Sequence, residues 1–200
     1  MQELESLNML MVSQKKEWGE ILSGFETKNK YVIKDQNGSN IYCAGEVGGN
    51  WFLRVFLKAF RPFTLDVRGF DNRPIIRLIR PFRFYYHKAD IFKSDGGLLG
   101  TIKKNFSFLA RKYSIFNDSQ EEIYQLFGPI FHPWTFIIKQ NGREVGKIAK
   151  KWSGLFKEGF TDADNFAVVF PAEADLTDKG LLLGAVFLID FVHFENTGNS

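Results

Sequence analysis

Residues Lys179–Glu195 read "KGLLLGAVFLIDFVHFE", and how this stretch is housed decides the fold. From Leu181 to Phe194 only Asp190 and His193 interrupt the apolar run; three residues apart, they share one face of a helix. A helix of about 14 residues reaches about 21 Å, whereas a bilayer core is about 30 Å thick and takes about 20 residues. The stretch is short for a span. A helix apolar on nearly every side must still be surrounded by something other than water, and the rest of the chain has to supply it.

Upstream, β-rich runs are repeatedly broken by turn chemistry: "YVIKDQNGSNIYCAGE" at 31–46, "FTLDVRGFDNRPIIRLIRP" at 63–81, "ADIFKSDGGLLGTIKK" at 89–104, "YSIFNDSQEEIYQLFG" at 113–128 and "TFIIKQNGREVGKIAKK" at 135–151. Each reads as strand, turn, strand. Asn-Gly at 37–38 and 141–142 and Asp-Gly at 95–96 are strong hairpin signals, because both central residues of a type I′ turn need positive φ. Ten or more antiparallel strands follow. A meander of that length curls, and closure removes the exposed edges that invite aggregation. The interior then needs filling, and the C-terminal helix is the element apolar enough to fill it. The reading is therefore mainly β: a closed antiparallel barrel of about 12 strands around a buried helix at about 175–195. The alternative is a β-sandwich with the helix on an outer face, which would require a wider polar stripe than Asp190 and His193 provide. Leu4, Leu7, Leu10, Met11, Trp18, Ile21, Leu22 and Phe25 recur at mostly three- and four-residue spacings and predict a helical lead-in over 1–24, with one barrel domain over 25–200.

The totals agree with one globular unit. The chain has 200 residues, 44% hydrophobic and 24% charged, enough for one core. Its 22 Phe residues call for a very aromatic core or contact with lipid. A net charge of +3 does not argue for nucleic acid as a partner. One cysteine, Cys43, and three separated histidines, His87, His132 and His193, leave no basis for a disulfide framework or a Cys/His metal centre. The opening "MQELESLNML" is acidic where a secretory signal is positive, so an intracellular protein without signal peptide is expected.

Five stretches taken together resemble the phospholipid scramblase family: "GFETKNKY" at 24–31, "RPFTLDV" at 61–67, "GKIAKKWSGL" at 146–155, "FTDADNFAVVFP" at 160–171 and "LLLGAVFLIDFVHFE" at 181–195. They occur in the family's order and at similar separations. The resemblance implies a tubby-like fold, a closed 12-stranded barrel around a C-terminal helix. It also implies calcium-triggered, ATP-independent movement of phospholipids between leaflets. The family's terminal helix has been described both as a membrane span and as a barrel core, and the length of this one leans toward the core.

The family's calcium motif falls on "DADNFAVVFPAEAD", whose carboxylates are Asp162, Asp164, Glu173 and Asp175. Calcium takes six to eight oxygen ligands, mainly carboxylates, carbonyls and water. The proposed 12-residue window ends here on Glu173 where relatives more often have Asp, and glutamate keeps the charge. The middle, "NFAVVFP", is strand-like and unlike an EF-hand loop, so only folding could unite the two pairs. The plain alternative is solvated carboxylates near a helix start, where negative charge is favourable.

"GKIAKKWSGL" lies where relatives carry a nuclear import signal, matched by Lys147, Lys150, Lys151 and Trp152; read from the residues, it is a basic strand end. Many relatives carry acylated cysteine clusters at the equivalents of 47–60 and 82–90. This chain has "WFLRVFLKAFRPF" at 51–63 and "FRFYYHKADIF" at 82–92, where lipidation of cysteine is impossible. If 51–61 is helical, Arg54, Lys58 and Arg61 form a cationic stripe beside Trp51, Phe52, Phe56 and Phe60, the composition of an interfacial helix. Anionic phospholipid is the partner this implies. The alternative is ordinary barrel strands with inward aromatics. No catalytic constellation stands out, and "GREVGKI" lacks the spacing and the Ser/Thr of a P-loop. Two functions therefore compete: a calcium-responsive lipid scramblase-like protein, and a tubby-like barrel that binds headgroups or protein partners and moves no lipid.

Overall fold

The structure, a computed structural model, describes residues 1–15, 30–47, 61–82, 87–150 and 165–194. Twelve antiparallel strands form one closed barrel in which each strand pairs with its sequence neighbours and the first pairs with the last. They are β1 Met9–Lys15, β2 Lys30–Asp35, β3 Asn40–Glu46, β4 Phe63–Arg68, β5 Pro74–Arg80, β6 Lys88–Lys93, β7 Leu98–Asn105, β8 Ala110–Asn117, β9 Glu122–Pro129, β10 Thr135–Gln140, β11 Arg143–Lys150 and β12 Asn165–Val169. The closing register runs from Met9↔Val169 to Ser13↔Asn165. Closure excludes the sandwich.

All five hairpins read from turn chemistry are present, but the turns are not all alike. Asn141 and Gly142 both take positive φ, 51° and 78°, as a type I′ turn demands. At the other two sites only the glycine does, Gly38 at 86° and Gly96 at 87°. There the chain closes through two backbone hydrogen bonds, such as Gly96 N–H to Lys93 O at 3.0 Å and Lys93 N–H to Gly97 O at 2.8 Å, and the register slips beside each turn. This is the type I turn with a glycine bulge, in which one left-handed residue suffices.

The helical lead-in is corrected. Gln2–Leu4 is a single 3-10 turn, and Met9–Lys15 is a strand hydrogen-bonded on both sides; residues 16–24 lie outside the described residues. Leu4 and Leu7 are buried in the core from a turn and a link, so their spacing came from capping the barrel end and not from a helix. Pairing with β2 and β12 outweighs local preference. The barrel thus begins well before residue 25.

The helix α1, Leu176–His193, runs through the barrel, with Lys179 to Phe191 buried without interruption. At about 1.5 Å per residue it is about 27 Å long, and its flank is sheathed by strand residues such as Val12, Ile33, Leu78, Ile91, Ile102, Tyr113, Leu126 and Ile138. Small residues make the room. A methyl on Gly184 would lie 2.6 Å from Ile91 Cδ1, and one on Gly100 would meet the Phe116 carbonyl and, at 2.9 Å, Leu181.

Candidate functional site

The topology gives the barrel two unlike ends. Tight hairpins, the 3-10 turn and the start of α1 share one end; the connections β1–β2, β3–β4, β5–β6, β7–β8, β9–β10 and β11–β12 share the other, where α1 finishes.

The start of α1 is fixed by charge and capping. Asp175 is the N-cap, its carboxylate accepting from Asp178 N–H at 2.8 Å. Asp178 accepts from the Tyr124 hydroxyl at 2.9 Å, and burial, reinforced by Asp175, raises its carboxyl above the usual range. Lys179, although buried, donates to the carbonyls of Leu4 at 3.0 Å and Glu5 at 2.7 Å, which ties the N-terminal turn across this end.

At the loop end the inward positions change from aliphatic to polar. Asp190 accepts from the Tyr31 hydroxyl at 2.8 Å and lies 3.5 Å from Lys150 Nζ. His193 is 2.9 Å from the Tyr113 hydroxyl, and burial first, then Lys104 and Arg111, push its pKa down to about 3. The two polar residues that interrupted the apolar run are thus each partnered, as burial of a polar group requires. Arg61 and Glu46 form a two-pronged ion pair, and the Arg61 guanidinium stands 4.4 Å from the Phe191 ring centre. Above this layer the rim carries exposed apolar side chains on β7–β8 and β9–β10: Phe106, Phe108, Leu109, Ile130, Phe131 and Trp134. The sequence reading passed over them, although "FSFL" and "PIFHPW" are apolar where a connection is ordinarily polar.

The expected residues fare differently. Arg61, assigned to the cationic membrane stripe, is 3% exposed beside Glu46 at 1%; that role is corrected, because a buried guanidinium held by a carboxylate cannot meet headgroups. Trp51, Phe52, Arg54, Phe56, Lys58 and Phe60 lie outside the described residues, as do Lys151 and Trp152. Lys147 is half-buried on β11, while Lys150 is buried against Asp190, so Lys150 is no part of a surface basic motif; strand parity turns it inward with Ile148. In the second aromatic segment, Lys88–Lys93 is strand β6 and Phe82 is exposed.

Of the acidic window, Glu173 and Asp175 are exposed at the tight-turn end, and Asp162 and Asp164 lie outside the described residues. Strand β12 occupies the middle, with Asn165 opposite Ser13 at one end of the pairing and Val169 opposite Met9 at the other. Those two residues are about 13 Å apart along the strand. Among the described residues no group of three or more His, Cys, Asp and Glu side chains is placed to hold a metal ion, and no helix is long and apolar enough to cross a membrane.

A family model described as Scramblase matches residues 1–196. Mouse phospholipid scramblase 1 is 36% identical over 210 residues, covering 98% of this chain and 64% of its own length. Bovine phospholipid scramblase 2 is 35% identical over 208 residues, covering 97% of this chain and 71% of its own length. The chain thus spans a little under two thirds of the mouse relative. In fold, it is similar to the X-ray structure of a protein from Arabidopsis thaliana, with a TM-score of 0.56 at 13% identity over 95% of this chain and 94% of that one.

Proposed function

Because this chain belongs to the scramblase family, we propose that it acts at a phospholipid surface as a scramblase-like protein, moving phospholipids between leaflets without ATP and in response to calcium. The carrying observation is the family match over the whole barrel, residues 1–196. Calcium would act through the acidic window containing Asp162, Asp164, Glu173 and Asp175, whose hard oxygens suit that ion. Anionic phospholipid is the favoured surface, and no covalent chemistry is assigned to the protein.

The sheathing of α1 favours a second reading. Residues Lys179 to Phe191 are buried inside the barrel, so the helix offers no lipid-facing flank in this state. A barrel that binds phospholipid headgroups or protein partners and moves no lipid accounts for that burial directly.

One assay separates the two. Vesicles carrying a fluorescent phospholipid are reconstituted with the protein and treated with dithionite, with and without calcium and with no nucleotide added. Quenching of inner-leaflet probe faster than in protein-free vesicles, and faster still with calcium, supports the first reading. Quenching at the protein-free rate, with the protein bound to the vesicles, establishes the second.

A further inference from the structure

Among the described residues the two ends of the barrel differ in the placing of their exposed charges. Every exposed carboxylate among the described residues lies at the tight-turn end, including Asp71, Asp95, Glu121, Glu144 and Glu173. At the loop end no acidic residue occurs from Lys103 to Asn117 or from Ile123 to Arg143. The first of these intervals holds Lys103, Lys104, Arg111 and Lys112.

The apolar rim is built from these two acid-free stretches. Phe106 is 73% exposed, Phe108 82%, Leu109 84% and Phe131 94%. Side chains so exposed form convex tips, which suits insertion into a fluid layer better than packing into a shaped protein surface. The tips are also held in place. Arg111, at the base of the β7–β8 connection, donates to the β9–β10 carbonyls of Pro133 at 2.6 Å and His132 at 3.2 Å, and lies 4.5 Å from the Phe136 ring centre. Phe106 and Phe108 meet edge to face at 4.7 Å, and Trp134 stacks on Phe194, just past α1, at 5.3 Å. Little ordering entropy would be lost on docking.

We propose that the loop end is the membrane-docking end: Phe108 and Phe131, with their neighbours, enter an anionic phospholipid leaflet, the exposed Lys112 meets its headgroups, and the tight-turn end faces away. This deepens the membrane-surface reading above and rests on it. Aromatic and aliphatic side chains supply the insertion, and basic ones the preference for negative lipid.

The test is cosedimentation of the full chain with phosphatidylcholine vesicles, with and without phosphatidylserine. Wild type is compared with Phe108→Ser/Phe131→Ser and with Phe70→Ser, a half-exposed aromatic at the opposite end. All the changed side chains are surface-exposed, so folding, checked by circular dichroism, is expected to be retained. The rim double variant is expected to bind phosphatidylserine vesicles about tenfold more weakly or worse, with Phe70→Ser unchanged. If the rim variant pellets like wild type, the docking assignment is overturned while membrane binding stands, and the rim is then free to serve a protein partner. If wild type pellets with neither vesicle, the membrane-surface reading itself fails and takes the docking assignment with it.

Discussion

Tyr31 on β2 donates its hydroxyl hydrogen to Asp190 in the last turn of α1 at 2.8 Å, a bond between residues 159 positions apart. With Lys150 on the other side of the carboxylate, it pins the C-terminal part of the helix to strands lying on either side of β1 and β12.

Asp190→Ala removes the carboxylate that the Tyr31 hydroxyl and the Lys150 amine share, and Tyr31→Phe takes one hydrogen bond from it. Asp190→Ala is expected to cost about 3–5 kcal/mol and Tyr31→Phe about 1–3 kcal/mol, read as shifts in the urea midpoint. An Asp190→Ala protein as stable as wild type would show that the helix end is held by apolar packing alone.

Arg61 gives a sharper contrast between a lipid contact and a structural role. Arg61→Ala removes a two-pronged ion pair from the interior, so a loss of about 3–5 kcal/mol is expected. A variant that folds with wild-type stability yet binds vesicles poorly would return Arg61 to the membrane surface.

Stability should fall in mild acid. Burial first, then Lys104 and Arg111, hold His193 near pKa 3, and burial, Arg80 and Lys104 hold His87 near 4, both down from 6.5. The unfolded chain therefore binds protons below about pH 6.5 that the native state refuses, and stability is lost as pH falls from there toward the native values. Urea midpoints at pH 7, 6 and 5 should decline, with a shallower decline in His193→Gln. Parallel declines would remove His193 from the account.

Asp175 has two assigned roles that predict different outcomes. As the N-cap of α1 it should cost about 1 kcal/mol when changed to Ala, equally with calcium or chelator present. Glu173→Gln and Asp162→Ala/Asp164→Ala remove window carboxylates without removing that cap. Calorimetric titration of these variants is expected to show calcium heat below that of wild type. Identical heats throughout would dismiss the window as a calcium site.

The strand count and the helix were legible because they rest on local rules. Turn residues at 37–38, 95–96 and 141–142 and the apolar run from Leu181 act over a few positions, and the closed barrel is the compact arrangement that houses both. The lead-in was misread because Leu4, Leu7 and Leu10 obey a helical spacing for a reason that is not helical: they plug a barrel end and begin its closing strand.

The sequence by itself determined that there would be paired strands, where they turn, and that one segment must be hidden from water, since backbone geometry and hydrophobicity are properties of neighbouring residues. Only the tertiary structure decided that Arg61 and Lys150 face inward, that Asp175 caps a helix and that Phe108 and Phe131 share a rim. Burial and ion pairing are set by whichever distant strand lies alongside, and that partner is fixed when the barrel closes.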